Sequence, residues 1–286
     1  LLSALANTSP GVGNFLLGKK GEAVKDAIRV FMPLALGFAG FIHYDDGDRD
    51  FEDVPSRKAF VCLATGLLVT QDMYFYSIFS AYKNAIKEEK MYYKWTKSSF
   101  CDLYFSSFGK NLFNLKVILP LIVFLGGGTA LTLYTLPDTL KLSPIFDREK
   151  VKVWGMYLSP EYALLLNSLY YGFLFSNVAL AEETLFRGFL QTEIAHLSGS
   201  ETFALVSQAI IFGLLHAIPA EPLHCFIRVS WSTLAGLYLG WLYKSSGYDI
   251  EPSITFHFLY DTLLSLVIYA LNPNSSPLTF SVKYSF

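Results

Sequence analysis

The sequence predicts an all-α polytopic membrane protein with seven or eight transmembrane helices. Three observations carry this expectation. Hydrophobic residues make up 52% of the chain and charged residues only 16%, where a soluble domain averages roughly 25% charged. The mean hydropathy is clearly positive, at +0.38. The apolar residues fall in blocks whose length is close to the ~20 residues that a helix needs to cross a bilayer. Over 286 residues the net charge is only −2, so no global field argues for nucleic acid as a partner. Membrane lipid is the expected surrounding. Cys62, Cys101 and Cys225 lie far apart and form no CxxC pair. That argues against a disulfide framework or a thiolate metal site, and for small core hydrophobes.

The first block, Ile28–Tyr44, lies behind the polar stretch GKKGEAVKDAIR, so no cleavable signal peptide is expected. The acid-rich stretch HYDDGDRDFEDVPSRK follows. Asp46, Asp48 and Asp50 there have the spacing of the start of an EF-hand loop, but no Glu stands at the twelfth position, and a solvated loop is the better expectation. The second block is Ala59–Tyr82. The third, Val117–Leu136, contains LGGGTAL; without the Lys-Ser/Thr ending of a phosphate loop, its glycines suit close helix packing. The remaining blocks are Tyr162–Ala179, Thr202–Ile218, Cys225–Tyr243 and Ile254–Leu271. The segment Leu180–Leu197 carries Glu182, Glu183, Arg187, Glu193 and His196. It either extends the fourth span or forms a helix of its own, hence seven or eight.

Lysine and arginine set orientation. Lys83, Lys87, Lys90, Lys94, Lys97, Lys110 and Lys116 cluster between the second and third blocks, and Lys19, Lys20, Lys25 and Arg29 precede or open the first. Both groups belong on the cytoplasmic side, with the acidic stretch opposite. The N-terminus is therefore expected in the cytoplasm. The chain divides at about residue 160. Residues 1–160 form an N-terminal membrane region with about three spans, and residues 161–286 form a helical core bundle.

An ionised group in hydrocarbon is expensive, and it persists where it is paired or faces an interior or a wet cavity. Three segments carry such groups: LAEETLFRGFLQTE, AIIFGLLHAIPAE and PSITFHFLYDTLLSL. Glu183 with Arg187, Phe212 with His216, and His257 with Asp261 each lie four apart, on a shared helical face. A short SGSE turn joins the first two segments. Glu182 lies 16 positions before Ser198 and His216 lies 15 after Glu201, so an antiparallel hairpin puts both about 24 Å from the turn. His257 fits less neatly, because it sits close to the start of its helix. Tilt, or a helix that begins below the surface, has to close that gap. Glu183 and Arg187 read as an ion pair, since an interior arginine needs a partner. Glu182 is then left over, and a lone buried carboxylate is suited to general-base work near neutral pH. Glu193, His196 and His224 read as interfacial.

These residues resemble a known family. EETLFRG is similar to its EExxxR motif, FGLLH to its FxxxH motif and HFLYD to its HxxxN/D motif, and order and spacing agree. STLAGLYLGWLYKSSGYDIEPSITFH resembles its glycine-bearing helix, short turn and final histidine helix. The family is that of the CAAX-prenyl and bacteriocin-processing (Abi, or CPBP) intramembrane proteases. The resemblance covers roughly Leu180–Leu271. SPGVGNFLLGKKGEAV is similar to the entry of small bacterial membrane domains and implies no chemistry; the bacterial inner membrane is the expected location.

The resemblance implies hydrolysis of a peptide bond in a membrane-associated peptide or protein. It implies that Glu182 activates water, His216 helps hold that water, and His257 with Asp261 stabilises the developing oxyanion. Glu183 and Arg187 brace the site, with Phe212 in support. Prenyl-protein proteases typically carry Asn where this chain has Asp261; a carboxylate there must be protonated, orient His257 or bind a metal. Family members are described both as glutamate-dependent and as metal-dependent, so the cofactor is either none or zinc. His216, His257 and Asp261, or Glu182, are the zinc set to consider, since two histidines and a carboxylate leave one position for water. Two other classes compete: a transporter using the same charges as a relay, which lacks the expected internal repeat, and a non-catalytic scaffold or immunity-type protein.

Overall fold

The computed structural model describes residues 1–44, 54–88, 93–135, 143–217 and 221–273, with side chains left out at 54–56 and 88. The Asp46, Asp48 and Asp50 loop, Lys90, Leu136 and Ile218 lie outside the described residues. Two short helices, α1 (Leu2–Ala6) and α2 (Val12–Leu16), precede the long α3 (Lys20–Tyr44) and α4 (Val54–Glu88). The basic region forms α5 (Phe100–Phe105) and two 3-10 turns, Ser106–Phe108 and Lys110–Phe113. Helix α6 (Leu115–Thr135) follows, then a hairpin of β1 (Val151–Val153) and β2 (Met156–Leu158). Trp154 and Gly155 turn that hairpin with φ of 48° and 85°, as a tight turn matched to strand twist requires.

Helix α7 (Pro160–Glu183) continues without a break through a π-helical segment, Thr184–Gln191, into α8 (Thr192–Ser198). The ambiguous Leu180–Leu197 segment therefore extends the fourth span. Then come α9 (Glu201–Leu215), α10 (Pro222–Ser245) and α11 (Glu251–Leu271). The chain is an all-α polytopic membrane protein apart from the small hairpin. Among the described residues, five helical runs are long and apolar enough to cross a membrane: Lys20–Tyr44, Arg57–Lys87, Leu115–Thr135, Pro160–Ser198 and Glu251–Leu271. Two expected spans fall short of that standard. Helix α9 has only 15 residues and stops at Leu215 rather than at Ile218. Helix α10 is long enough, but His224, Arg228, Ser230, Ser232 and Thr233 dilute its apolar content.

Helix α4 lies parallel to the α7–α8 run. Thr65 Oγ1 meets Tyr170 OH at 2.7 Å near one end, and Tyr82 OH donates to Glu193 Oε2 at 2.8 Å near the other. Between them, Phe79 sits where a Cβ on Gly188 would fall 2.4 Å from its ring. Helix α6 packs through Phe124 on α10 and α11. The glycine run receives aromatic rings there: a Cβ on Gly127 would meet Trp231 and one on Gly128 would meet Tyr260, each at 2.5 Å. Trp231 Nε1 donates to Tyr260 OH at 2.8 Å. Gly128→Leu is expected to destabilise the protein by about 1–3 kcal/mol through overpacking, read as a lower melting temperature in detergent. An unchanged melt would disprove the Tyr260 contact.

The first turn of α11 is buried. Pro252, Ser253, Ile254, Thr255 and Phe256 are all inaccessible or nearly so. The 3-10 turns lie beneath it: Thr255 Oγ1 donates to the Ser106 carbonyl at 2.9 Å, and Lys110 Nζ reaches Glu251 at 3.5 Å. This helix does begin below the surface, which lifts His257 to the depth of the other polar residues.

Candidate active site

The EETLFRG stretch sits where α7 passes into the π segment. Thr184 returns its hydroxyl to the Leu180 carbonyl at 2.7 Å, and Thr192 bonds the Arg187 carbonyl, five residues back, at 3.0 Å. That five-residue spacing belongs to the wider π turn, a distortion common at functional positions. Glu183 and Arg187 have no exposed side-chain surface, and Arg187 Nη1 donates to Glu183 Oε1 at 2.8 Å. Arg187 is held from two further sides. Its guanidinium lies 4.7 Å above the Phe212 ring, and its Nη2 donates to the Gly236 carbonyl at 3.3 Å. Gln208 donates to the same carbonyl at 3.0 Å.

Glu183 does more than brace the arginine. The same Oε1 lies 2.7 Å from His257 Nδ1. The other ring nitrogen, Nε2, faces Asp261 Oδ2 at 3.2 Å and Glu182 Oε2 at 3.8 Å. His257 is thus clamped between carboxylates from two helices, an arrangement that fixes its ring plane and aims Nε2 at the gap between Glu182 and Asp261. The side chains of Glu182 and Asp261 are 22% and 23% exposed, while that of His257 is 7% exposed. The cluster therefore opens on the side of those two carboxylates.

His216 is not inside α9 but caps it, with φ −89° and ψ 2°. Its Nδ1 contacts the Phe212 carbonyl at 2.7 Å, a group that the helix end leaves without a backbone partner. The ring lies 4.5 Å from that of Phe212, which in turn lies 6.0 Å from His257. His216 acts electrostatically on Glu182 without a hydrogen bond between them, so matched depth does not become direct contact. Outside the cluster, Glu193 is bonded to Tyr82, and His224 Nε2 lies 3.8 Å from Glu221 near the start of α10.

One carboxylate escaped the reading of the sequence. Asp72 lies in the QDMYFY stretch of α4, is 5% exposed, and interacts electrostatically with Glu182 and His257. The available signal was a lone acid in the middle of the second apolar block. Asp72 Oδ2, Glu182 Oε2 and Glu183 Oε2 are buried and have no hydrogen-bond partner among the described residues.

Of the zinc ligands considered, His257 has both ring nitrogens facing carboxylates and His216 has its Nδ1 on a backbone carbonyl. Among the described residues, no three His, Cys, Asp or Glu side chains are grouped so as to hold a metal ion.

Residues 163–263 match the family model described as type II CAAX prenyl endopeptidase Rce1-like. That segment is Rce1-like. The family resemblance read from the three motifs therefore stands. Neither a curated protein nor a solved structure matches the chain. The Rce1-like segment includes Glu182, Glu183, Arg187, Phe212, His216, His257 and Asp261, and it excludes Asp72 and everything else before residue 163.

Proposed function

We propose that this protein is an intramembrane endopeptidase that hydrolyses a peptide bond in a membrane-associated peptide or protein without a metal. The observation that carries the reading is the clamped His257, with Glu183 on Nδ1 at 2.7 Å and the Glu182–Asp261 gap before Nε2. Glu182 takes a proton from water as the water oxygen bonds to the scissile carbonyl carbon. His216 helps to hold that water. Charge develops on the carbonyl oxygen beside His257 Nε2, where a preoriented donor stabilises the transition state more than the ground state. As the C–N bond breaks, the proton on Glu182 passes to the departing amine. Asp261 orients His257, and Glu183 holds both His257 and Arg187. This role for Asp261 needs neither a metal nor an amide at the position.

The proposed setting is the bacterial inner membrane with the N-terminus in the cytoplasm. There the Lys83–Lys116 region meets the negative surface of the cytoplasmic leaflet.

The test uses the purified protein in liposomes with a membrane-spanning fluorogenic peptide. Cleavage in H2 18O is expected to place one 18O in the new carboxyl terminus. Activity is expected to persist under chelation at a metal content verified as zero. No cleavage across a broad peptide set refutes the proposal, and activity that vanishes with the metal refutes the metal-free form.

A further inference from the structure

We propose that Asp72 is a specificity residue that receives a basic side chain of the substrate next to the bond that is cut. The inference rests on the peptidase reading above. The site holds more acidic than basic side chains. Asp72, Glu182, Glu183 and Asp261 contribute four acidic side chains, while Arg187, the one arginine of the cluster among the described residues, is already bonded to Glu183. His216 and His257 also act on Glu182, and His257 is shared by three of the carboxyl groups, those of Glu182, Glu183 and Asp261. An acidic cluster alone would carry little weight. Asp72 adds a second kind of observation. It is a nine-tenths-buried side chain whose Oδ2 has no partner among the described residues.

Its burial places it inside the helix packing, and the helix register sets its depth. Asp72 lies 16 residues before the end of α4 at Glu88, and Glu182 lies 16 before the end of α8 at Ser198. The two helical runs are parallel, and the Thr65–Tyr170, Phe79–Gly188 and Tyr82–Glu193 contacts put Asp72 beside the last turns of α7, where Glu182 lies. Neighbours of Asp72 on α4, Met73, Tyr76 and Phe79, pack in the core with Leu180, Ile254 and Phe258. This packing holds the segment rigidly against α7 and α11. A buried carboxylate without a hydrogen-bonding partner is costly. A protonated amine or guanidinium inserted from a bound peptide relieves that cost only in the complex, and a neutral side chain in its place does not. Discrimination by charge follows, and it comes from the part of the chain that precedes the Rce1-like match.

The test is a set of membrane-spanning fluorogenic peptides, identical except for one position. Lysine, methionine or glutamate is walked through the four residues on each side of the cut. At one position, the lysine peptide is expected to exceed the methionine peptide by at least tenfold in kcat/KM, with glutamate the poorest. In Asp72→Asn the lysine-to-methionine ratio is expected to fall to about one, and in Asp72→Glu to remain above one. General damage lowers both peptides alike and leaves the ratio unchanged. A wild-type protein that cuts the peptides with no lysine preference at any position overturns the inference while leaving the peptidase reading intact. So does an Asp72→Asn variant that keeps the preference. A wild-type protein that cuts none of them refutes the peptidase reading, and the inference falls with it.

Discussion

Glu182→Gln is expected to lower cleavage of a membrane peptide by about 10²–10⁴-fold, the range usual for removal of a general base. The substitution keeps the side chain's shape and its distance from His257, 3.8 Å in the parent, but an amide cannot accept the proton of the attacking water. Glu182 also stands apart from the Glu183–Arg187 ion pair and is partly exposed, so its replacement leaves the core packing in place. Loss of turnover with an unchanged melting temperature and expression level is the expected pattern. Turnover within twofold of wild type would falsify the assigned base.

Glu183→Gln is expected to affect stability and activity together. Arg187 is fully buried and Glu183 is the acid bonded to it. Breaking a buried pair by removing one member typically costs about 3–5 kcal/mol, because the remaining charge is stranded. The same change replaces the carboxylate on His257 Nδ1 with a neutral amide, which accepts a weaker hydrogen bond and no longer supports positive charge on the imidazole. The double variant Glu183→Gln/Arg187→Met separates the two effects. It strands no charge, so the melting temperature is expected to recover most of the loss. Activity is expected to stay low, since His257 still lacks its charged partner on Nδ1. Recovery of both would mean that Glu183 serves the arginine alone. A single variant as stable as wild type would mean that the pair is not buried.

Much of this cluster could be read from residue spacing. Glu183 with Arg187 and His257 with Asp261 lie four apart, and helical geometry alone puts each pair on one face. The apolar blocks likewise announce membrane helices, because the requirement for a long apolar run is local to each helix. What escaped depended on neighbours distant in the chain. Among the described residues five helical runs meet the length and composition of a span, because α9 stops at Leu215 and α10 is more polar than its length suggests. His216 was expected within a helix and caps one instead. Glu183 was read as serving Arg187, and its second partner, His257, comes from 74 residues further on. Asp72 went unnoticed because nothing near it in sequence shares its chemistry.

The order of apolar blocks and charged positions determined that this chain is helical, embedded in a membrane, and equipped with acids and histidines at unusual depth. Each of these follows from the cost of polar groups in hydrocarbon, which every segment meets on its own. The meeting of those groups was decided by packing between segments. The turns of residues 106–113 cover the start of α11 and raise His257 to the level of Glu183. The parallel lie of α4 along α7 and α8 brings Asp72 to the level of Glu182. Depth along one helix is counted in residues, whereas height relative to another helix depends on where each one begins, and only tertiary contacts set that.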